Sequence, residues 1–199
     1  MFDPLEAAAP ESPEQPERRR LSERQAEVME RLVAAAAEEA EERRYADISV
    51  RTIAKRAGVA PATAYTYFSG KDHLLAEVLW RCTQSSPQLV DLSLSLPERV
   101  ADTAGSMGFG SMGLPAVAAC TTALLGDGPD VTRVRARLGA EIGRRLAAAL
   151  GRGADPAVLG VLQVTYTGAL LSAGMGHLSF DAVPVLMGEA TALMTMRTP

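Results

Sequence analysis

Histidine, cysteine and lysine each occur only twice in the 199 residues, and aromatic side chains make up 5%. His73 and His177 have no cysteine or carboxylate pair nearby at metal-ligand spacing, which argues against a zinc site. Cys82 and Cys120 also lack that spacing and sit in apolar helical patterns, so they read as buried free thiols in a reducing compartment. No sustained alternation of Val, Ile or Thr marks a strand, and the expected fold class is all-α. Apolar stretches such as residues 114–125 fall short of a membrane span, and Thr121 and Thr122 interrupt this one. The first residues carry acids and prolines where a secretory signal needs a basic start and an apolar run, so a cytoplasmic protein is expected. Gly108, Gly110 and Gly113 have dinucleotide-loop spacing but no preceding strand, and Gly70-Lys71 lacks the other residues of a phosphate loop. With no catalytic motif, neither an enzyme nor a cofactor is expected.

What is present is a chain 47% hydrophobic, rich in alanine and patterned for helices. Residues 1–17 are dense in Pro, Glu and Ala without helical period and read as a disordered tail. Arg18, Arg19 and Arg20 follow, either as an arm that touches DNA or as a solvated run before a helix. Ser22 and Gln25 have capping-box spacing, and Val28, Met29, Leu32, Val33, Ala36 and Ala40 recur at helical intervals, so the first helix is expected to run to Arg43 and Arg44. A second begins at Ser49 as N-cap and stops at Gly58; a short third starts on Pro61 and runs to about Phe68. A fourth runs from Lys71 to about Thr83. Further helical segments are expected at 97–107, 115–125, 129–150, 156–177 and 180–196. The boundaries drawn are a tail over 1–17, a head over 18–70 and a helical body over 71–199.

The net charge of −4 hides an asymmetry: residues 43–71 hold Arg43, Arg44, Arg51, Lys55, Arg56 and Lys71 against Asp47 alone, a net +5. Such a cluster is either a solvated face or a footprint for nucleic acid. Its setting is the stretch ISVRTIAKRAGVAPATAYTYF (48–68), followed by SGKDHLL (69–75). Two short helices joined at a glycine, the second opening with small residues, are the parts of a unit that lays one helix across a DNA backbone and the other in the major groove.

Over about residues 21–75, this series resembles the DNA-binding head of the TetR family of transcriptional regulators. The resemblance implies a three-helix helix-turn-helix head on a helical body that dimerises and binds a small molecule. It also implies that Tyr65 and Tyr67 touch phosphate, Tyr65 alternatively a base edge, and that Lys71 holds a phosphate. Ala62 and Thr63 match base-reading positions, Arg51 and Thr52 are candidates for backbone or groove contacts, and Phe68 belongs to the core. Tyr67 alternatively covers the helix-one interface, and Lys55 and Arg56 alternatively face solvent. Ala60 stands where many family members cap the recognition helix with Ser or Thr. With few donors on that helix, direct readout is expected to lean on Thr63, Tyr65, Thr66 and contacts with thymine methyls, DNA shape supplying the rest.

The last two segments are largely apolar (Leu159, Leu162, Val164, Leu170, Leu171, Val185, Leu186, Leu193, Met194). The family pairs its two C-terminal helices across a dimer, and Gly160, Gly168, Ala169, Ala173 and Gly174 would permit close helix approach; the alternative is burial within one chain. Trp80, Met107, Phe109, Met112, Leu124 and Tyr166 are candidate ligand-lining residues, alternatively ordinary core. Arg133, Arg135, Arg137, Arg144 and Arg145 are expected on a solvated side. The functional expectation is a homodimeric repressor on a quasi-palindromic operator, released by a small apolar effector. The alternative is a regulator without such an effector, controlled by a protein partner.

Overall fold

The computed structural model describes residues 14–87, 89–107 and 112–196. These residues form nine α-helices and one short 3-10 helix, with no strand among them. The first helix, α1 (Glu14–Glu42), starts eight residues before the expected cap at Ser22. Glu14 and Glu17 favour a helix N-terminus, and Pro16 is tolerated in the first turn. Arg18, Arg19 and Arg20 are therefore in helix, not on an extended arm, and residues 14–17 are not part of a tail; residues 1–13 lie outside the described residues. Leu32, Val33, Ala35, Ala36 and Ala40 form its buried stripe, while Val28 and Met29 are half-buried against the same core.

A 3-10 turn (Tyr45–Asp47) leads to α2 (Val50–Arg56). Ser49 caps α2: its hydroxyl accepts from the Thr52 N–H at 3.1 Å, and its own N–H donates to the Thr52 hydroxyl at 3.2 Å. The helix ends in a Schellman turn: the Val59 N–H reaches the Ala54 carbonyl, the Gly58 N–H reaches that of Lys55, and Gly58 takes φ +66°. The next helix, α3 (Pro61–Tyr67), opens on Pro61 with no side-chain cap from Ala60. Ile53, Ala54, Ala64 and Phe68 are buried together against α1, closing the head.

The fourth helix, α4 (Lys71–Ser85), is buried on more than one side through Leu74, Leu75, Ala76, Val78, Leu79 and Thr83. It packs on α1, on α6 (Leu114–Ala123) and on α7 (Pro129–Leu150). The hydrophobic core of the head therefore runs on without a break through α4 to Ala116, Ala119, Cys120, Val134 and Leu138. Cys120 is fully buried and Cys82 half-buried, both as free thiols. A second core joins α5 (Leu96–Ser106), the end of α7, α8 (Pro156–Gly174) and α9 (Ala182–Thr195) around Val100, Met107, Leu146, Leu162, Tyr166 and Met187. Close approach of α5 to α9 depends on Gly188, where an added Cβ would stand 3.3 Å from the Pro97 carbonyl oxygen.

Two further expectations change. The arginines of α7 do not all face solvent, because Arg145 is 3% exposed, held by Glu141 and by the Thr83 carbonyl. Helix α8 is 19 residues long and apolar enough to cross a membrane by length and composition, with 28% of its apolar window buried. The expectation that every apolar stretch falls short of a span therefore fails for α8.

Replacing Gly58 by Ala is expected to destabilise the head by about 1–2 kcal/mol, the cost of a left-handed conformation for an L-residue. No heavy atom lies within 4 Å of the added Cβ, so the loss is conformational. Urea unfolding followed by circular dichroism measures it, and an unchanged midpoint would contradict the assigned turn.

Candidate nucleic-acid interface and body cavity

The capped start of α2, the glycine turn and the burial of Ala64 and Phe68 fix which side of α3 points outward. Ala62, Tyr65 and Thr66 are exposed, Tyr65 by 58%, and Thr63 is half-buried beside them. Tyr67 is half-buried and packs on the head core, so its ring is partly a core element. The Thr66 hydroxyl donates to the Ala62 carbonyl at 3.2 Å. Arg51 is exposed at the start of α2, whereas the Thr52 hydroxyl is occupied, donating to the Ser49 carbonyl at 2.8 Å. Sequence reasoning found the Ser49 cap but missed that Thr52 reciprocates; the Ser-x-x-Thr spacing carried that signal.

The positive charge of residues 43–71 is largely spoken for. Arg56 bridges α2 to α1, donating from Nε to Glu39 at 2.8 Å, from Nη1 to Glu42 at 2.8 Å, and pairing with Glu38 at 3.3 Å. Its hydrogen bond to Glu42 is the main reason the guanidinium is held even more firmly protonated and the Glu42 carboxyl is lowered. Arg43 pairs with Glu39 and Arg44 with Asp47, each at 3.1 Å. Among the described residues, Arg51 and Lys55 are exposed with no acid paired to them.

Lys71 meets neither solvent alone nor an acid. Its Nζ donates to the Tyr45 carbonyl at 2.9 Å and lies 4.0 Å from the Tyr45 ring centroid. The Tyr45 hydroxyl donates to Asp72 at 2.6 Å, and burial, then this hydrogen bond, push its pKa up to about 12. Tyr45 thus ties the turn after α1 to the start of α4. Sequence reasoning missed it because a single aromatic in a polar turn has no periodic neighbours. A second tie is His73, whose Nδ1 accepts from the Ser69 N–H at 3.3 Å and stands 3.8 Å from Asp130 of α7. The Phe68 ring meets the imidazole edge-on, with centroids 5.1 Å apart.

In the body, a cavity of about 200 Å³ lies between α4, α6, α7 and α8. Met107, Leu124 and Tyr166 line it with Leu79, Leu138 and Leu170, and among the described residues Arg135 is the one charged residue in its wall. Arg135 is turned to the end of α6, donating to the Leu124 carbonyl at 2.6 Å. Burial raises the Tyr166 pKa, keeping its hydroxyl a neutral donor to the Ala104 carbonyl at 3.3 Å. Trp80 and Met112 are not in the cavity wall: both pack on the head-side core, with the Arg137 guanidinium 4.2 Å over the indole. Phe109 lies outside the described residues.

A helix-turn-helix head sharing its core with an all-helical body defines a class of DNA-binding transcriptional regulators. A family model described as bacterial regulatory proteins of the tetR family matches residues 32–78. An uncharacterized HTH-type transcriptional regulator of Mycobacterium tuberculosis is 41% identical over 174 residues, 86% of this chain and 82% of that protein, and one of Mycobacterium bovis matches to the same extent. A TetR transcriptional regulator from a Rhodococcus species shares the fold with TM-score 0.65 and 22% identity, over 89% of this chain and 99% of its own. A tetR-family regulator from Streptomyces coelicolor has TM-score 0.59 and 19% identity, over 86% and 82%. The chain belongs to the TetR family of helix-turn-helix transcriptional regulators, which are not enzymes.

The His73 joint makes a pH prediction. Burial lowers its pKa below the ordinary 6.5, while Asp130 and Glu77 oppose the shift and Arg133 adds to it. Between the lowered value and 6.5 the unfolded chain binds more protons, so this contribution is fully present above 6.5 and lost as pH falls through the folded value. The thermal midpoint should therefore fall further between about pH 7.5 and 5.5 for the wild type than for His73→Asn. Identical falls would remove His73 as a source of pH dependence.

Proposed function

We propose that the chain is a homodimeric repressor whose hold on a quasi-palindromic operator is weakened by a small, mainly apolar effector bound in the body cavity. The cavity is the observation that carries this reading over control by a protein partner. Its apolar wall and its position between α4, which supports the head, and α8 suit a small apolar molecule, the space of about 200 Å³ lying below the roughly 300–1,000 Å³ of typical ligand pockets. An effector that favours one arrangement of α4 shifts the population of DNA-competent dimers.

The dimer reading rests on the outer face of α8 and α9. Val161, Val164 and Gly168 on α8, with Val185, Leu186 and Leu193 on α9, form an exposed apolar surface. Gly160 and Gly168 have open space beside them, as close helix approach from outside requires. Ala169, Ala173 and Gly174 serve the other side, packing within the chain, as do Leu162 and Leu170. Pairing this face with its copy would place two heads on one operator.

On DNA, Tyr65 contacts phosphate or a base edge, Tyr67 contacts phosphate, and Ala62, Thr63 and Thr66 face the bases. Arg51 and Thr52 approach the backbone from α2. Lys71 exchanges the Tyr45 carbonyl for a phosphate oxygen.

Three measurements test this. Arg51→Ala should flatten the dependence of log affinity on log salt by about 0.9, one released counterion, whereas Arg56→Ala, already neutralised by α1, should leave the slope unchanged. Fluorescence anisotropy on selected genomic fragments reads both, and Tyr65→Ala with Lys71→Ala should abolish specific binding. Val164→Glu with Leu193→Glu should give a folded monomer by sedimentation that no longer binds operator; a persistent dimer would contradict the assigned face. For the effector, Leu138→Phe should fill the cavity and leave operator binding insensitive to small apolar compounds that release the wild type.

A further inference from the structure

A second, smaller pocket of about 20 Å³ lies on the other side of α7, beneath the connection from α4 to α5. Leu89 and Val90 form its outer wall, Thr103 and Ser106 line it from α5, and Arg144 and Arg145 line it from α7. The Arg145 side chain is 3% exposed. Its Nε donates to Glu141 at 2.7 Å and its Nη2 to the Thr83 carbonyl, but its buried Nη1 has no hydrogen-bond partner. Thr103 is 5% exposed, and its Oγ1 is also buried without a partner.

Two unpartnered polar groups in one small pocket are costly, because each has given up water and gained nothing. A guanidinium N–H and a hydroxyl both donate, so a group with two acceptor oxygens would satisfy them together. At the rim, Leu89 is 85% exposed, and Leu92 on the same connection is 74% exposed. Apolar side chains in water beside a guanidinium with an unused N–H match an apolar body attached to an anionic head.

We propose that this pocket binds a monocarboxylate with an apolar tail, its carboxylate bridging Arg145 Nη1 and Thr103 Oγ1 and its tail covering Leu89. The pocket is too small for a ring, and a carboxylate is a compact anionic group that offers two acceptor oxygens. The site is separate from the effector cavity, although Thr83 links them: its carbonyl accepts from Arg145 and the residue lines the larger space.

Isothermal titration of the full chain with sodium octanoate, sodium acetate and octanamide at fixed ionic strength tests the assignment. Octanoate should bind once per chain, with acetate and octanamide at least tenfold weaker. Thr103→Val, which removes an unpaired buried hydroxyl at constant shape, should keep or raise the thermal midpoint and weaken octanoate at least fivefold. Leu89→Ser, at an exposed position that leaves the fold intact, should weaken octanoate and leave acetate unchanged. No octanoate binding at millimolar concentration would overturn the proposal and leave the two groups to a buried water. Octanoate affinity unchanged in Thr103→Val, or matched by octanamide, would place the tail in the larger cavity and overturn it too. Neither result bears on the effector reading, which Leu138→Phe tests separately.

Discussion

Everything in this molecule depends on the burial of α4 from both sides. Leu74, Leu75, Val78 and Leu79 face α1 in the head and α6 and α7 in the body, so one helix completes two packing arrangements. A seven-residue α2 and a seven-residue α3 could not hold a fixed position alone, because short helices draw their stability from packing. Each fully buried leucine in α4 contributes about 1.5–3 kcal/mol to holding them. The same burial links the head to the body, because the core around α1 continues through α4 to α6 and α7. Tyr45, hydrogen-bonded to Asp72, and His73, beside Asp130, add polar ties at the upper end of that helix.

The electrostatics of the head follow a division of labour. Arg43, Arg44 and Arg56 are committed to acids on or near α1, which spends their charge internally, and Arg56 among them ties α2 to α1. Arg51 and Lys55 keep theirs. Lys71 is held over the Tyr45 ring and donates to the Tyr45 carbonyl, with no acid paired to it among the described residues. A phosphate backbone therefore meets much less free charge than the net +5 of residues 43–71 implies.

The features legible in the sequence are those decided by near neighbours. The Ser49 cap, the Gly58 turn, the Pro61 start and most helix bounds rest on contacts within four or five residues, and the structure places them where the patterns do. The Ser22 cap failed because the acids and Pro16 upstream already start a helix. The apolar residues of α8 were legible as apolar but not as two faces: Leu162 and Leu170 point inward, Val161 and Val164 outward. Likewise Met107, Leu124 and Tyr166 meet at one cavity while Trp80 and Met112 do not, although all five look alike as residue types.

The fold class and the order of the head follow from the chain's local patterns, because helix period, capping and the left-handed Gly58 act over one or two turns of chain. Which charges remain free and which apolar faces remain open depends on the folded arrangement. Arg56 finds Glu42 across 14 residues and Arg145 finds the Thr83 carbonyl across 62, and no local pattern records such partners. The physical reason is that burial and pairing are properties of surfaces brought together from distant segments, so a cation or a leucine acquires its role only when its neighbours arrive.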